Sequence, residues 1–129
     1  MQHDAPIRPA PQADLTYTDE IHAGLMSGTS MDGVDGVLIA FDDQGRIRQT
    51  LTSAFVPMPE PLRRQLTVLQ HPASDELAAA ARAGQQLADL YAECVQKLLQ
   101  QSGISPRQVR ALGAHGQTVR HVPAEGYTL

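Results

Sequence analysis

The chain has 129 residues, of which 42% are hydrophobic and 19% charged, a composition that supports one folded domain with its own core. The net charge is −4 and Lys and Arg do not cluster, so we expect no nucleic acid partner. No apolar run approaches the roughly 20 residues that span a bilayer. The single cysteine, Cys94, excludes an internal disulfide and suits a reducing compartment, so we expect a cytoplasmic protein without a membrane segment.

The first 20 residues differ in composition from the rest of the chain. Prolines and acidic residues stand where a secretion signal has a basic start and an apolar run. We therefore expect residues 1–20 to be a disordered tail and residues 21–129 to form the folded part.

Three strands joined by short turns follow the predicted tail. The second strand ends in a continuous apolar run, which is typical of a strand covered on both faces. The third strand alternates apolar and polar residues, as a half-exposed strand does. A tight turn at Asp32 and Gly33 joins the first two strands, so the three predict an antiparallel meander. The predicted strands cover residues 21–27, 34–41 and 46–56.

Two helices are predicted after the meander, because prolines at 57, 59 and 61 cannot donate to a sheet. The first covers residues 61–70. The second covers residues 75–101, with Ser74 as its N-cap and Gly103 at its C-terminal end. The apolar stripe of the long helix is predicted at Leu77, Ala81, Gly84, Ala88, Tyr91, Val95 and Leu98, widened by Ala80, Leu87 and Cys94.

A further buried strand is predicted over residues 109–114, and Val119 and Val122 indicate another short one. The helices before residue 109 provide the crossover that a parallel strand pair needs. The sequence therefore predicts an α/β fold, with a mixed sheet, an antiparallel meander and packed helices.

The segment GLMSGTSMDGVD, residues 24–35, places glycines and hydroxyl side chains between the first two strands. Glycines let backbone N–H groups approach a ligand, and successive N–H groups in a turn form a concave anion site. Thr29 and Ser30 add hydroxyl donors. Asp32 and Asp35 fit beside a phosphate only if a divalent cation or a water lies between them. Ordinary turns use the same residue types, so a hairpin without a ligand stays an open alternative.

Three familiar motifs are absent from this segment. No lysine follows the glycines, which excludes a Walker A loop. No Gly-x-Gly-x-x-Gly precedes a helix, which argues against a dinucleotide fold. Ser30 is not in a Gly-x-Ser-x-Gly hydrolase elbow, because Asp32 occupies the last position.

GLMSGTSMDGVD followed by an apolar strand resembles the N-terminal phosphate loop of the anhydro-N-acetylmuramic acid kinases. GAHGQTVRH, residues 113–121, resembles the second motif of that family. The two motifs occur in the family's order, with a helical region between them, and the resemblance covers residues 21–129. It implies the N-terminal part of an actin/hexokinase-like (ribonuclease H-like) sugar kinase lobe.

The resemblance implies transfer of the ATP γ-phosphate to the 6-oxygen of 1,6-anhydro-N-acetylmuramic acid, with hydrolytic opening of the anhydro bridge. The product is N-acetylmuramic acid 6-phosphate, in cell-wall recycling. ATP and Mg²⁺ are the implied cofactors, Asp32 is the implied metal ligand, and a homodimer of the full-length enzyme is allowed. The implied ATP-binding loop is Gly28, Thr29, Ser30, Met31, Asp32, Gly33, Val34 and Asp35, and the implied sugar-side residues are His115, Gly116, Gln117 and Thr118.

The family's longer members carry their catalytic aspartate and most of their adenosine pocket after the position of Leu129. We therefore expect an N-terminal piece that holds no catalytic residue and shows no turnover alone. The alternative is a non-catalytic phosphate- or nucleotide-binding lobe, or an assembly module. From the residues alone, His115 also fits a loop histidine bonded to backbone, and Tyr91 fits the core.

Overall fold

The computed structural model describes residues 15–129, which form a four-stranded sheet, two helices and a small two-stranded sheet. The order of elements along the chain confirms the predicted α/β fold. No helix in this range is long and apolar enough to cross a membrane. The elements are β1 Glu20–Ser27, β2 Gly33–Phe41, β3 Ile47–Pro57, α1 Glu60–Val68, α2 Glu76–Ser102, β4 Val109–Ala114, β5 His121–Val122 and β6 Tyr127–Thr128.

The four-stranded sheet has the order β3-β2-β1-β4. β2 is antiparallel to both β1 and β3, which confirms the predicted meander. The prediction of a tight turn at Asp32 and Gly33 is wrong, because Gly33 already lies in β2 and the turn is formed by residues 28–32. β4 is parallel to β1, because α1 and α2 carry the chain back across the sheet before it begins. β1 is therefore an inner strand, with β2 on one side and β4 on the other.

The core lies between the sheet and the two helices. Alternate residues of β1 and β2 point toward the helices, and α2 covers mainly β2 and β3. The strand predicted over residues 109–114 forms as β4, but the prediction that it is buried is wrong. β4 lies beyond the cover of α2, and its Leu112 is 51% exposed. The largest fully buried side chains are Leu38, Leu62, Leu98, Val34 and Cys94.

The buried face of α2 differs in part from the predicted stripe. Leu87, Cys94 and Leu98 are buried as predicted, but Leu77 is 89% exposed. Ala81, Gly84 and Ala88 are also exposed, and Ala83 and Leu90 are buried in their stead. Alanine occupies nearly every position from 78 to 83, so the apolar period in that stretch does not define a face.

The prediction that Ser74 is the N-cap of α2 is wrong. The N-cap is Asp75, whose φ of 58° is left-handed and whose side chain makes no capping hydrogen bond. The Glu76 carboxylate instead accepts a hydrogen bond from the Ala73 backbone N at 2.5 Å and one from the Arg120 guanidinium. The Glu76 carboxylate at the start of α2 is thus held both by the local backbone and by a side chain 44 residues away. The other end matches the prediction, since Gly103 ends α2 with a φ of 70°.

Residues 15–20, the end of the predicted tail, belong to the folded part. The Thr16 backbone N donates to the Asp19 carboxylate at 2.7 Å, and Asp19 also pairs with Arg48 at 3.3 Å. Leu15 packs against the core, and Glu20 already lies in β1. The rest of the predicted tail, residues 1–14, lies outside the described residues.

Candidate functional site

The two motifs meet at the carboxyl end of β1. Leu25 of β1 pairs with Gly36 of β2 on one side and with Ala114 of β4 on the other. The backbone N of His115 then donates to the Leu25 carbonyl at 3.0 Å, which extends the parallel ladder by one residue. The loop after β1 and the segment after β4 therefore leave the sheet at the same edge, where ligands bind in many α/β sheets.

The loop of residues 28–32, here named the connecting loop, is a short turn open to solvent. The Gly28 carbonyl accepts a hydrogen bond from the Met31 N at 3.0 Å. The side chains of Thr29, Ser30 and Asp32 are exposed. Met31 has a left-handed φ of 53°, which is uncommon for a residue other than glycine, and its side chain packs against the core. The anchored Met31 thus leaves the hydroxyls and the Asp32 carboxylate free to contact a ligand.

The glycines of the first motif lie in different packing environments. A Cβ on Gly33 would lie 2.2 Å from the Val56 carbonyl oxygen, and one on Gly36 would lie 2.6 Å from the Cys94 sulfur. Those two glycines allow β3 and α2 to pack closely on β2. A Cβ on Gly28 would meet nothing nearer than 3.9 Å. Packing therefore does not account for Gly28, and the space beside its Cα is open.

Two residues of the implied ATP-binding loop, Gly33 and Val34, lie inside the sheet. Val34 is 0% exposed, and its backbone pairs with Ser27 on one side and Val56 on the other. Its side chain belongs to the core, so it cannot contact a ligand. Asp35 follows on the opposite face of β2 and is exposed. The implied loop therefore divides into the connecting loop, two structural residues and one exposed carboxylate.

A groove of about 1130 Å³ lies near the carboxyl ends of β1 and β4. Asp35 and His115 both line it, so it joins the two motifs, although residues 28–32 are not among its lining residues. It reaches the paired residues Met26 and Asp35, one register step from the loop. Its lining is Gly24, Leu25, Met26, Asp35, Gly36, Val37, Ser53, Ala54, Phe55, Lys97, Gln101, Gly113, Ala114 and His115.

Lys97 of α2 supplies a cation to this groove, and its Nζ donates to the Phe55 carbonyl at 3.0 Å. The sequence analysis did not select it, because a lysine on the polar face of a helix has no distinguishing local signal. The Cys94 thiol is fully buried as predicted. Burial raises its pKa, and the charge of Asp35 raises it further, so the thiol stays protonated and unreactive.

The second motif continues from β4 into a segment that turns back toward β1. His115 is exposed at the groove, and its ring Nδ1 lies 3.4 Å from the Gly116 carbonyl oxygen. Gly116 has a left-handed φ of 81°. Gln117 and Thr118 are half-buried, and the Gln117 Nε2 donates to the Thr118 carbonyl at 3.2 Å. Three of the four implied sugar-side residues are thus turned partly into the protein, while His115 points outward.

Ser27 joins the two motifs and was not selected from the sequence. Its hydroxyl donates to the Gln117 Oε1 at 2.5 Å, and the residue is only 3% exposed. The signal that could have found it is its inward position in β1, after Ala23 and Leu25, where an apolar residue is expected. A buried hydroxyl at such a position needs a partner.

Tyr91 of α2 lies at the same junction and packs against the core, as predicted. Burial raises the pKa of its hydroxyl, and the nearby backbone N–H groups of Gly116 and Ser27 partly oppose that rise. Within residues 15–129 the buried hydroxyl has no partner with the geometry of a full hydrogen bond. Elements from three parts of the chain thus converge where the motifs meet.

Among residues 15–129, no group of three or more His, Cys, Asp or Glu side chains could hold a metal ion by itself. Mg²⁺ at nucleotide sites keeps several waters and takes one or two carboxylates together with phosphate oxygens. The exposed Asp32 carboxylate at the end of the connecting loop fits that requirement.

Comparison with known proteins agrees with these features. Residues 20–129 match the family model described as Anhydro-N-acetylmuramic acid kinase. The chain belongs to the anhydro-N-acetylmuramic acid kinase family. This confirms the resemblance carried by the two motifs.

Curated members of the family are similar over most of this chain. The anhydro-N-acetylmuramic acid kinase of Ralstonia nicotianae is 54% identical over 113 residues, which cover 84% of this chain and 29% of the relative. That of Bordetella pertussis is 56% identical over 106 residues, covering 82% and 28%. That of Burkholderia thailandensis is 50% identical over 110 residues, covering 85% and 28%. The chain thus spans less than a third of the length of these relatives.

Proposed function

We propose that this chain forms the phosphate-binding side of an anhydro-N-acetylmuramic acid kinase. In the proposed reaction, ATP phosphorylates the 6-oxygen of 1,6-anhydro-N-acetylmuramic acid, and water opens the anhydro bridge to give N-acetylmuramic acid 6-phosphate. The observation that carries the proposal is the meeting of the two family motifs at the end of β1, joined by the Ser27–Gln117 hydrogen bond. Family membership supports the choice of substrate.

In this proposal the connecting loop binds the phosphate groups of ATP. Gly28 has no side chain to block the approach, and the exposed Thr29 and Ser30 hydroxyls add donors to the backbone amides. Asp32 contributes a ligand to Mg²⁺, which when bound neutralises phosphate charge. Asp35 lies farther along β2, where it lines the groove.

The groove is the proposed place of the sugar. Its volume of about 1130 Å³ is sufficient for an amino sugar together with part of a polyphosphate. His115 and Lys97 offer polar and charged groups on its walls, while Phe55 and Val37 offer apolar surface. These residues bind and orient the substrates, and we assign none of them the role of general base.

The proposed role is cytoplasmic, in cell-wall recycling, with small-molecule partners and no nucleic acid. A homodimer of the longer enzyme is compatible with it.

Calorimetric titration of Mg-ATP into the chain tests the proposal. We expect weak binding that Gly28→Val and Asp32→Ala each reduce, because the first blocks the approach of phosphate and the second removes the metal ligand. Asp43→Ala is the matched control, since it removes an exposed carboxylate from the turn between β2 and β3. Absence of heat at millimolar Mg-ATP would contradict the proposal.

A second titration separates a kinase lobe from a general nucleotide-binding module. The anhydro sugar is added to the chain saturated with Mg-ATP, and the kinase proposal predicts a further binding heat that His115→Ala reduces. Nucleotide binding without any response to the sugar would favour the non-catalytic module.

A further inference from the structure

We propose that Ser27 and Gln117 are positioning residues that couple occupancy of the phosphate-binding loop to the conformation of the sugar-side segment. This inference rests on the proposed function, because it needs phosphate to bind at residues 28–32. It assigns Ser27 a role that neither motif suggested, and it gives Gln117 a role in positioning rather than in contact with the sugar.

The position of Ser27 carries the first part of the argument. Ser27 directly precedes Gly28 in the chain. A shift of the backbone at the start of the connecting loop therefore also moves the Ser27 hydroxyl. That hydroxyl is buried and donates to Gln117 at 2.5 Å. Because a buried polar group without a partner is unfavourable, Gln117 is expected to follow the hydroxyl rather than release it.

The second part is the way Gln117 is held at both ends of its amide. The Oε1 accepts from Ser27, and the Nε2 donates to the Thr118 carbonyl at 3.2 Å. The amide is therefore a bridge from β1 to the backbone of the second motif. A displacement at Ser27 reaches Thr118 through two hydrogen bonds.

The third part is Tyr91, which limits how the junction can move. Its buried hydroxyl lies near the backbone N–H groups of both Ser27 and Gly116. Residues that share one fixed side chain as a neighbour cannot shift independently in a close-packed interior. The coupling is reciprocal by linkage, so the sugar should also alter the affinity for nucleotide.

Nitrogen-15 NMR of the chain during a Mg-ATP titration tests the inference. In the wild type we expect the amides of residues 28–32 and those of residues 116–118 to shift with the same apparent affinity. In Ser27→Ala and in Gln117→Ala, the loop amides should still shift, while the shifts at residues 116–118 fall to less than half. Gln117→Glu keeps an acceptor for Ser27 but loses the donor to the Thr118 carbonyl, so the shifts at residues 116–118 should stay reduced. Gln96→Ala, at an exposed position of α2, is the matched control and should behave like the wild type.

The outcomes separate this inference from the function on which it rests. Shifts at residues 28–32 without shifts at 116–118 in the wild type would overturn the coupling alone. Equal responses at residues 116–118 in Gln117→Ala and the wild type would do the same. No shift at residues 28–32 at millimolar Mg-ATP would overturn the proposed function and the coupling with it. If Ser27→Ala fails to fold, the Gln117 pair of variants decides the question.

Discussion

Replacing Gly33 by alanine should strongly destabilise the fold, although a sequence reading assigns that glycine to the ATP site. The new Cβ would lie 2.2 Å from the Val56 carbonyl oxygen and 2.6 Å from the Phe55 ring. That is roughly 1 Å or more short of ordinary contact, and the carbonyl is backbone that cannot rotate away. Overpacking costs about 1–3 kcal/mol, and a strained ladder hydrogen bond costs about 1–3 kcal/mol more. We therefore expect a loss of about 3 kcal/mol in the free energy of unfolding.

Urea unfolding followed by circular dichroism measures this loss, which at a typical slope lowers the midpoint by on the order of 2 M. Gly28→Ala is the matched control. Its Cβ meets nothing nearer than 3.9 Å and its φ is outside the left-handed region, so its stability should change by about 0.5 kcal/mol or less. The reasoning is refuted if Gly33→Ala unfolds at the wild-type midpoint, or if Gly28→Ala is equally destabilised.

Two further predictions test the corrected face and start of α2. Leu98→Ala should destabilise by about 2–5 kcal/mol because Leu98 is 0% exposed, whereas Leu77→Ala should cost less than about 0.5 kcal/mol because Leu77 is 89% exposed. Equal effects of the two in thermal or urea unfolding would count against the buried face described here. A hydrogen bond from Arg120, and to a lesser extent one from Ala73, lowers the pKa of Glu76 below its ordinary value of 4.5. These hydrogen bonds therefore stabilise the fold at neutral pH, and the stabilisation disappears as acid protonates Glu76. Arg120→Gln should therefore be less stable than the wild type at pH 7 and closer to it at pH 3, and a pH-independent difference would contradict this origin.

Local patterns were sufficient to predict β1 to β4 and their order along the chain, whereas β6 was not predicted. The alternation in β3, the apolar run that ends β2 and the prolines before α1 are all features of short segments. The parallel placement of β4 then followed from the length of the helical crossover. These signals depend on backbone geometry, which neighbouring residues largely determine.

Features set by distant contacts could not be predicted in the same way. Glu76 at the start of α2 pairs with the distant Arg120, and the packing roles of Gly33 and Gly36 depend on β3 and α2. The Ser27–Gln117 hydrogen bond joins residues 90 positions apart. The resemblance located both motifs, but only the fold showed that Val34 belongs to the core and that Ser27 connects the motifs.

The most direct test of the account is an experimental structure of the chain with Mg²⁺ and a non-hydrolysable ATP analogue. The account predicts that the terminal phosphates accept hydrogen bonds from backbone amides of the connecting loop other than that of Met31, which donates to the Gly28 carbonyl, with the metal ion beside Asp32. A nucleotide bound away from this loop, with the loop amides still facing solvent, would contradict the proposed phosphate site.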